Sequence, residues 1–115
     1  MEERFNFIAL QESRDFLQNM DKKTRKKVMY NIWKVKTIND KNLFEHLQGE
    51  IYEFRTLFNK KYIRLFAFWD KEDKSNTLVV GTHGIYKKTA KIPKSDIDKA
   101  ERIRQEYFEL KNSKK

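Results

Sequence analysis

The sequence predicts an α+β domain in which helices pack on an antiparallel sheet, in the order β-α-α-β-β-β-α. Alternating apolar and polar residues mark strands near the N-terminus and in the middle of the chain. Apolar residues recur at helical spacing in three other segments, and two central strands are close enough to form a hairpin. With 115 residues and apolar residues along its whole length, the chain is expected to form one domain, residues 1–115.

The N-terminal part is predicted to contain one strand and two helices. Residues 4–10 alternate as in a strand, and residues 11–19 follow the helical period. Asp21 is placed to cap a second helix that runs to about Lys36. The inner stripe predicted for this helix consists of Val28, Met29, Ile32, Trp33 and Val35.

The second helix carries seven basic side chains between Lys22 and Lys36 and no acid. A lysine-rich outer face is typical of a solvated helix surface. The functional alternative is a stripe of charge that meets phosphates.

The remaining elements are three strands and a terminal helix, whereas residues 43–47 are assigned to no element. Aromatic and β-branched residues predict the strands, and the residues after Pro93 return to helical spacing. The predicted ranges are 51–58, 62–69 and 77–85 for the strands and 96–111 for the helix.

The charge balance of the chain favours polyanionic partners. Lys and Arg number 26 against 17 Asp and Glu, a formal net charge of +9. Such an excess raises the local concentration of polyanions without identifying them. The sequence has no cysteine and no apolar run long enough for a membrane span. Its N-terminal residues are charged, unlike those of a signal peptide. We therefore expect a soluble, cytoplasmic protein with no membrane partner.

Arg64 stands out because it is the only charge in the run from Tyr62 to Trp69. Both alternating faces of this run are apolar, which predicts a central strand. On the preceding strand, alternation places Glu53 and Arg55 together on the face opposite the aromatic side chains, a face expected to be less covered. Arg64 is then either paired with Glu53 across the hairpin or binds a phosphate.

The segment from Gly81 to Lys94 follows an apolar strand and contains four lysines and no acid. These lysines either keep a sheet edge soluble or extend a basic site begun by the two arginines. No metal-ligand spacing, phosphate-binding glycine loop or nucleophile motif accompanies them. If the protein is an enzyme, phosphodiester cleavage by basic residues is the chemistry that its residues favour.

Three motifs resemble the HigB-like branch of the RelE/ParE toxin superfamily. They are LQGEIYEFR at residues 47–55, YIRLF at 62–66 and HGIYKKTAKIP at 83–93. Members typically read L-x-G-x-I-Y-E-L-R, then Y-R-x-x-Y/F, then H-G-F-x-K-K-T-x-K-x-P. Phe54 and Ile85 replace the usual Leu and Phe, which are changes in packing residues.

The resemblance implies a RelE-like fold and a ribosome-dependent messenger-RNA endonuclease, the toxin of a type II toxin–antitoxin pair. Such proteins enter the ribosomal A site and cut the codon there. The family usually requires no metal or other cofactor, because the RNA 2′-hydroxyl attacks the adjacent phosphate. The expected partner is an antitoxin, often a HigA-like helix-turn-helix protein.

The resemblance also implies roles for particular basic residues. Arg55 and Arg64 would hold the scissile phosphate and stabilise its developing charge. Lys87 and Lys88, expected just beyond the last strand, would add charge or donate a proton to the leaving oxygen. Further RNA contacts are expected from Lys91 and Lys94.

The proton-transfer and stacking roles have several candidates. His83 has the reference pKa that suits acid–base catalysis, although a lone histidine at a strand end is often structural. Glu53 is either the base or the residue that orients Arg55. Tyr86 is an RNA-stacking residue or a proton donor, or else a half-buried core tyrosine. His46 is expected at the surface.

Two other functions are compatible with the same sequence. The first is a ParE-like toxin that inhibits DNA gyrase and cuts nothing. The second is a non-catalytic module that binds nucleic acid or an acidic protein through the same surface.

Overall fold

A computed structural model describes residues 4–72, 77–87 and 91–113. These residues form five strands and three helices. In chain order they are β1 (Asn6–Ala9), α1 (Gln11–Asn19), α2 (Lys22–Thr37), β2 (Phe44–Gln48), β3 (Ile51–Phe58), β4 (Lys61–Asp70), β5 (Leu78–Lys87) and α3 (Lys94–Ser113).

The strands form one five-stranded sheet in the order β1-β5-β4-β3-β2. β1 runs parallel to β5, with Asn6 opposite Leu78, whereas the other neighbouring pairs are antiparallel. The sheet is therefore mixed, and the predicted antiparallel sheet and RelE-like order β-α-α-β-β-β-α are wrong. Alternation along a strand identifies its two faces but carries no information about the direction of its neighbour.

The prediction also missed a strand, β2, in the segment left without an element. β2 pairs antiparallel with β3, with Glu45 opposite Glu53, and the pairing shifts at an irregularity near Gln48. Phe44 is buried whereas Glu45 and His46 are exposed, so the period is interrupted after two residues. A strand of five residues at a sheet edge leaves too short a pattern for an assignment.

Helices cover both faces of the sheet, and each face has its own hydrophobic core. α1 and α2 lie over one face, where Val28 and Ile32 pack with Phe54 and Leu65. α3 lies over the other, where Ala100 packs in the cluster that contains Phe66, Phe68 and Val80. Because both faces are covered, β4 is buried along most of its length, as its apolar sequence predicts.

α2 confirms its predicted start but not its predicted inner stripe. Asp21 accepts hydrogen bonds from the Thr24 backbone N–H at 3.0 Å and from its hydroxyl at 2.6 Å. Met29 and Trp33 were expected inside but are 42% and 51% exposed. Asn31 takes an inner place instead and donates to Thr56 Oγ1 at 3.0 Å.

β5 extends two residues beyond its predicted end and includes Lys87. The pairing with β4 shifts between Leu65 and Ala67, where a bulge admits an extra residue of β5. Gly84 lies beside this bulge, and the ring of Phe16 occupies the space that a Cβ atom would need. A glycine is required there because α1 approaches the strand so closely.

α3 is tied to the rest of the molecule at both ends. Near its start, His83 Nε2 lies 3.2 Å from Asp96 Oδ1. Near its end, the buried Asp70 accepts from Tyr107 Oη at 2.6 Å and from Lys111 Nζ at 2.7 Å. In the part of the chain that the structure describes, no helix combines the length and apolarity needed to cross a membrane.

Candidate functional site

Arg55 on β3 and Arg64 on β4 are directly opposite each other in the antiparallel register. Residues paired in this way project from the same face of the sheet, with Cβ atoms about 5 Å apart. This is the face covered by α3, because the neighbouring Ile51 and Phe66 both belong to its core. The structure therefore brings together the two arginines that the sequence singled out.

Glu53 separates the two positive charges. Its Oε2 lies 3.0 Å from Arg55 Nε in a hydrogen-bonded ion pair, and its Oε1 lies 3.2 Å from Arg64 Nε. The second contact lacks hydrogen-bond alignment and is a contact between charges. Glu53 is 1% exposed, so the expectation of a less covered face is wrong at this position. The ion pair between Glu53 and Arg64 is present, as predicted by the interpretation in which Arg64 pairs across the hairpin.

The two guanidinium groups differ in accessibility. The Arg64 side chain is 9% exposed, and its Nη1 donates to the Ile63 carbonyl at 3.1 Å. Burial lowers the pKa of Arg64, Glu53 opposes this shift, and Arg55 adds to it. The Arg55 side chain is 35% exposed and also contacts Glu45 Oε2 at 2.8 Å. Arg55 is thus the more accessible of the two arginines, and Arg64 is the more buried.

Lys87 adds a third cation on the same face. Lys87 is paired with Tyr62, and Ile85, two residues earlier on β5, is paired with Arg64. Residues two apart on a strand share a face, so Lys87 projects from the face that holds Arg64. Partial burial lowers the pKa of the Lys87 ammonium, and repulsion from the positive charge of Arg64 lowers it further. Glu53, Arg55, Arg64 and Lys87 are called the arginine cluster below.

Tyr62 and Glu45 lie beside the arginine cluster, although the sequence predicted a site role for neither of them. Tyr62 is 50% exposed on the face that holds Arg64 and Lys87. A groove of ≈ 340 Å³ is lined by Tyr62, Arg55, Arg64 and Leu57, among others. The alternation of Tyr62 with Arg64 along β4 was a sufficient signal for Tyr62. Glu45 required knowledge of β2.

Tyr86 is placed on the other face of the sheet. It pairs with Ile63, and its ring lies 5.3 Å from that of Phe16 on α1. The structure therefore does not bring Tyr86 together with the arginine cluster, although the tyrosine is 45% exposed. Adjacent residues of a strand point to opposite faces, which separates Tyr86 from Lys87.

His83 is on the arginine face but is turned inward. It is 3% exposed and stacks on Phe66 with ring centroids 4.7 Å apart. Its Nδ1 lies 3.1 Å from Thr82 Oγ1, and its Nε2 contacts Asp96. Burial lowers the pKa of His83, and the hydrogen bond to Asp96 offsets this only in part. Because Asp96 only accepts, the neutral ring carries its proton on Nε2.

The other predicted lysines are not part of the described cluster. Lys88 lies outside the described residues. Lys91 follows that gap, and Lys94 opens α3 and pairs with Asp98 at 3.1 Å on an exposed surface. His46 is exposed on β2, as expected. Across the described ranges, no three His, Asp or Glu side chains are grouped so that they could hold a metal ion.

A larger depression of the surface lies elsewhere. It measures ≈ 720 Å³ and lies between Trp69 and the last turns of α3, lined by Arg104 and Phe108 among others. It contains none of the predicted site residues. An extended polymer needs an open surface rather than an enclosed cavity, so cavity size does not favour this depression over the arginine cluster.

Comparison with known proteins identifies a family. No curated protein matches the chain. The family described as phage-derived protein Gp49-like (DUF891) matches residues 15–105, which include every predicted site residue from Glu53 to Lys94. The match covers well over half of the chain, and the protein therefore belongs to the phage-derived Gp49-like family, whose members are toxin-like.

Proposed function

We propose that this protein is the toxin of a type II toxin–antitoxin system and acts as a ribosome-dependent messenger-RNA endonuclease of the HigB-like kind. The observation that carries the proposal is the pairing of Arg55 with Arg64 on adjacent strands, with Lys87 on the same face. Membership in a toxin-like family supports it. The proposed substrate is the messenger-RNA codon in the ribosomal A site.

The arginine cluster supports the binding of a phosphodiester. Arg55, Arg64 and Lys87 supply three positive charges, and Glu53 supplies one buried negative charge. The exposed Arg55 binds the scissile phosphate and exchanges its contact with Glu45 for the phosphate oxygens. A guanidinium donates two parallel hydrogen bonds to phosphate. Preorganised positive charge stabilises the negative charge that develops on the phosphate in the transition state.

The proposed reaction needs no metal. The RNA 2′-hydroxyl gives its proton to water as its oxygen bonds to phosphorus, while the bond from phosphorus to the 5′-oxygen breaks and that oxygen gains a proton. Lys87 is proposed as its donor, since its lowered pKa eases proton release. Glu53 turns one oxygen toward each arginine, which supports an orienting role rather than that of the base.

Tyr62 is proposed to position the nucleotide. Its ring is half exposed at the mouth of the groove that Arg55 and Arg64 line. Aromatic side chains beside a basic groove stack on unpaired bases. This assigns to Tyr62 the role for which the sequence offered Tyr86.

A toxin of this kind requires control inside the cell. We propose a cytoplasmic location and a cognate antitoxin, of which a HigA-like helix-turn-helix protein is the expected form. Both follow from the proposed activity, because free toxin halts translation in its own host.

The deciding experiment is translation-coupled cleavage of a reporter message on purified ribosomes. Wild type is compared with Arg55→Ala and Arg64→Ala, and Arg102→Ala serves as the control because its side chain is exposed on α3. Primer extension should show stops within A-site codons, weakened about 10²–10³-fold in both site variants. Ribosome binding and the Arg102→Ala rate should stay close to wild type.

Two results would contradict the proposal. An intact message despite ribosome binding by the wild-type protein would indicate a non-catalytic module. An intact message without ribosome binding, together with inhibition of gyrase supercoiling, would indicate a ParE-like toxin.

A further inference from the structure

The outward surface of α2 carries large apolar side chains that remain partly exposed, with Lys27 Nζ 5.2 Å from the centre of the Tyr30 ring. Met29, Tyr30 and Trp33 are 42%, 52% and 51% exposed. At 100° per residue, Lys22, Lys23 and Lys26 fall on the same side of the helix. All three lysines are exposed. These six residues are called the α2 stripe below.

The α2 stripe is held rigidly. The opposite side of the helix is anchored by Val28, Ile32 and Val35, which are at most 2% exposed in the core of the sheet. Tyr30 and Trp33 support each other, with ring centroids 5.9 Å apart. The side chains of the stripe are therefore presented on a fixed support, which reduces the entropy that a partner must remove on binding.

The stripe has the layout of a protein interface rather than that of a solvated face. Trp, Tyr and Met are enriched in the cores of such interfaces, and a charged rim surrounds the core. Here the apolar group follows the lysines along one side of a 16-residue helix that has no acid. The N-terminus of the helix dipole adds positive charge at the lysine end.

From this arrangement we propose that the α2 stripe binds an acidic amphipathic helix of a protein partner. Leucine-like side chains of that helix pack on Met29, Tyr30 and Trp33, and its carboxylates meet Lys22, Lys23 and Lys26. The full length of α2 is about 24 Å, which a partner helix of about 16 residues spans. Nucleic acid fits less well, because Met29 offers no flat surface on which a base stacks.

This surface is separate from the arginine cluster. α2 packs on the face of the sheet that holds Phe54 and Leu65, whereas Arg55 and Arg64 project from the other face. A partner on the stripe therefore leaves the cluster open. The proposal does not depend on the proposed nuclease activity, and each of the two can be wrong while the other is right.

The test uses a labelled 16-residue peptide with leucines on one helical side and glutamates elsewhere. Its affinity for the full-length protein is measured by fluorescence anisotropy, with a scrambled peptide of the same composition as the control for charge. Trp33→Gln should weaken binding about tenfold or more. Leu110→Gln, which alters a 61% exposed apolar residue on α3, should leave the affinity unchanged. A Lys22→Gln, Lys23→Gln, Lys26→Gln variant should bind more weakly and with less dependence on salt.

Three results would distinguish the proposed peptide binding from the alternatives. Equal binding of the scrambled peptide, or equal binding by Trp33→Gln, would overturn the proposal. A single-stranded RNA probe that loses affinity in Trp33→Gln while the peptide does not would assign the stripe to nucleic acid. Arg64→Ala should keep the peptide affinity whatever happens to message cleavage, which separates this proposal from the nuclease assignment.

Discussion

Arg55 and Arg64 face each other across neighbouring strands, and the only carboxylate that contacts both in the described structure is that of Glu53. Like charges directly opposite on a sheet destabilise it unless an anion lies between them. Glu53 provides that anion from within the fold, and Arg55 remains one-third exposed. The result is a fixed pair of cations whose outer member can exchange an exposed carboxylate for a phosphate.

Replacing Glu53 by Gln should destabilise the protein by about 3–5 kcal/mol, because two adjacent guanidinium groups lose their buried counter-charge. Urea unfolding measures this. Glu45→Gln is the matched control and should cost less than about 1 kcal/mol, since Glu45 is 47% exposed. Sulfate should stabilise Glu53→Gln more than wild type. Equal costs for the two variants would show that Glu53 does not hold the cluster together.

Tyr62 and Tyr86 should differ in their effect on RNA cleavage. Tyr62→Ala removes the exposed ring beside Arg64 and should lower the cleavage rate about tenfold, the usual effect of losing one base stack. Tyr86→Ala alters a similarly exposed ring on the opposite face and should change the rate less than twofold. The measurement is the rate of reporter-message cleavage on ribosomes. A larger loss in Tyr86→Ala would move the nucleotide to the face that α1 covers.

The stability of the protein should fall as the pH drops below the ordinary pKa of histidine. Burial lowers the pKa of His83 from 6.5, so the unfolded chain binds its proton more readily than the folded one. Stability therefore rises with pH between the lowered pKa and 6.5, and is lost as pH falls through that window.

Unfolding free energies at pH 7.5 and 5.5 test this dependence. His83→Gln should show a smaller difference between the two pH values than wild type. His46→Gln, which alters an exposed imidazole on β2, is the comparison variant. An unchanged difference in His83→Gln would mean that other groups cause the pH dependence.

Gly84→Ala should destabilise the protein by about 1–3 kcal/mol, because the added Cβ would enter the space of the Phe16 ring. Thermal or urea unfolding measures the loss. In a Phe16→Ala background the same change should cost less, since the ring that it meets is gone. Additive losses in the double variant would indicate that contact with the Phe16 ring is not the cause of the loss.

Local structure was predicted well where a pattern was long. The helical period identified all three helices, and Asp21 caps α2 as expected. Alternation placed Glu53 and Arg55 on one face, and the lone charge between Tyr62 and Trp69 identified Arg64. The composition and order of these residues along the chain determined these features.

Packing decided the rest. The direction of β1 beside β5, the extra edge strand and the exposure of Trp33 depend on which elements meet. The same is true of His83, whose ring nitrogens are both occupied only because α3 brings Asp96 against β5. By itself, the sequence determined which side chains share a face of a strand, because that period is built into the backbone. Only the tertiary structure decided which faces are covered and which cations share a carboxylate, because those depend on contacts between residues far apart in the chain.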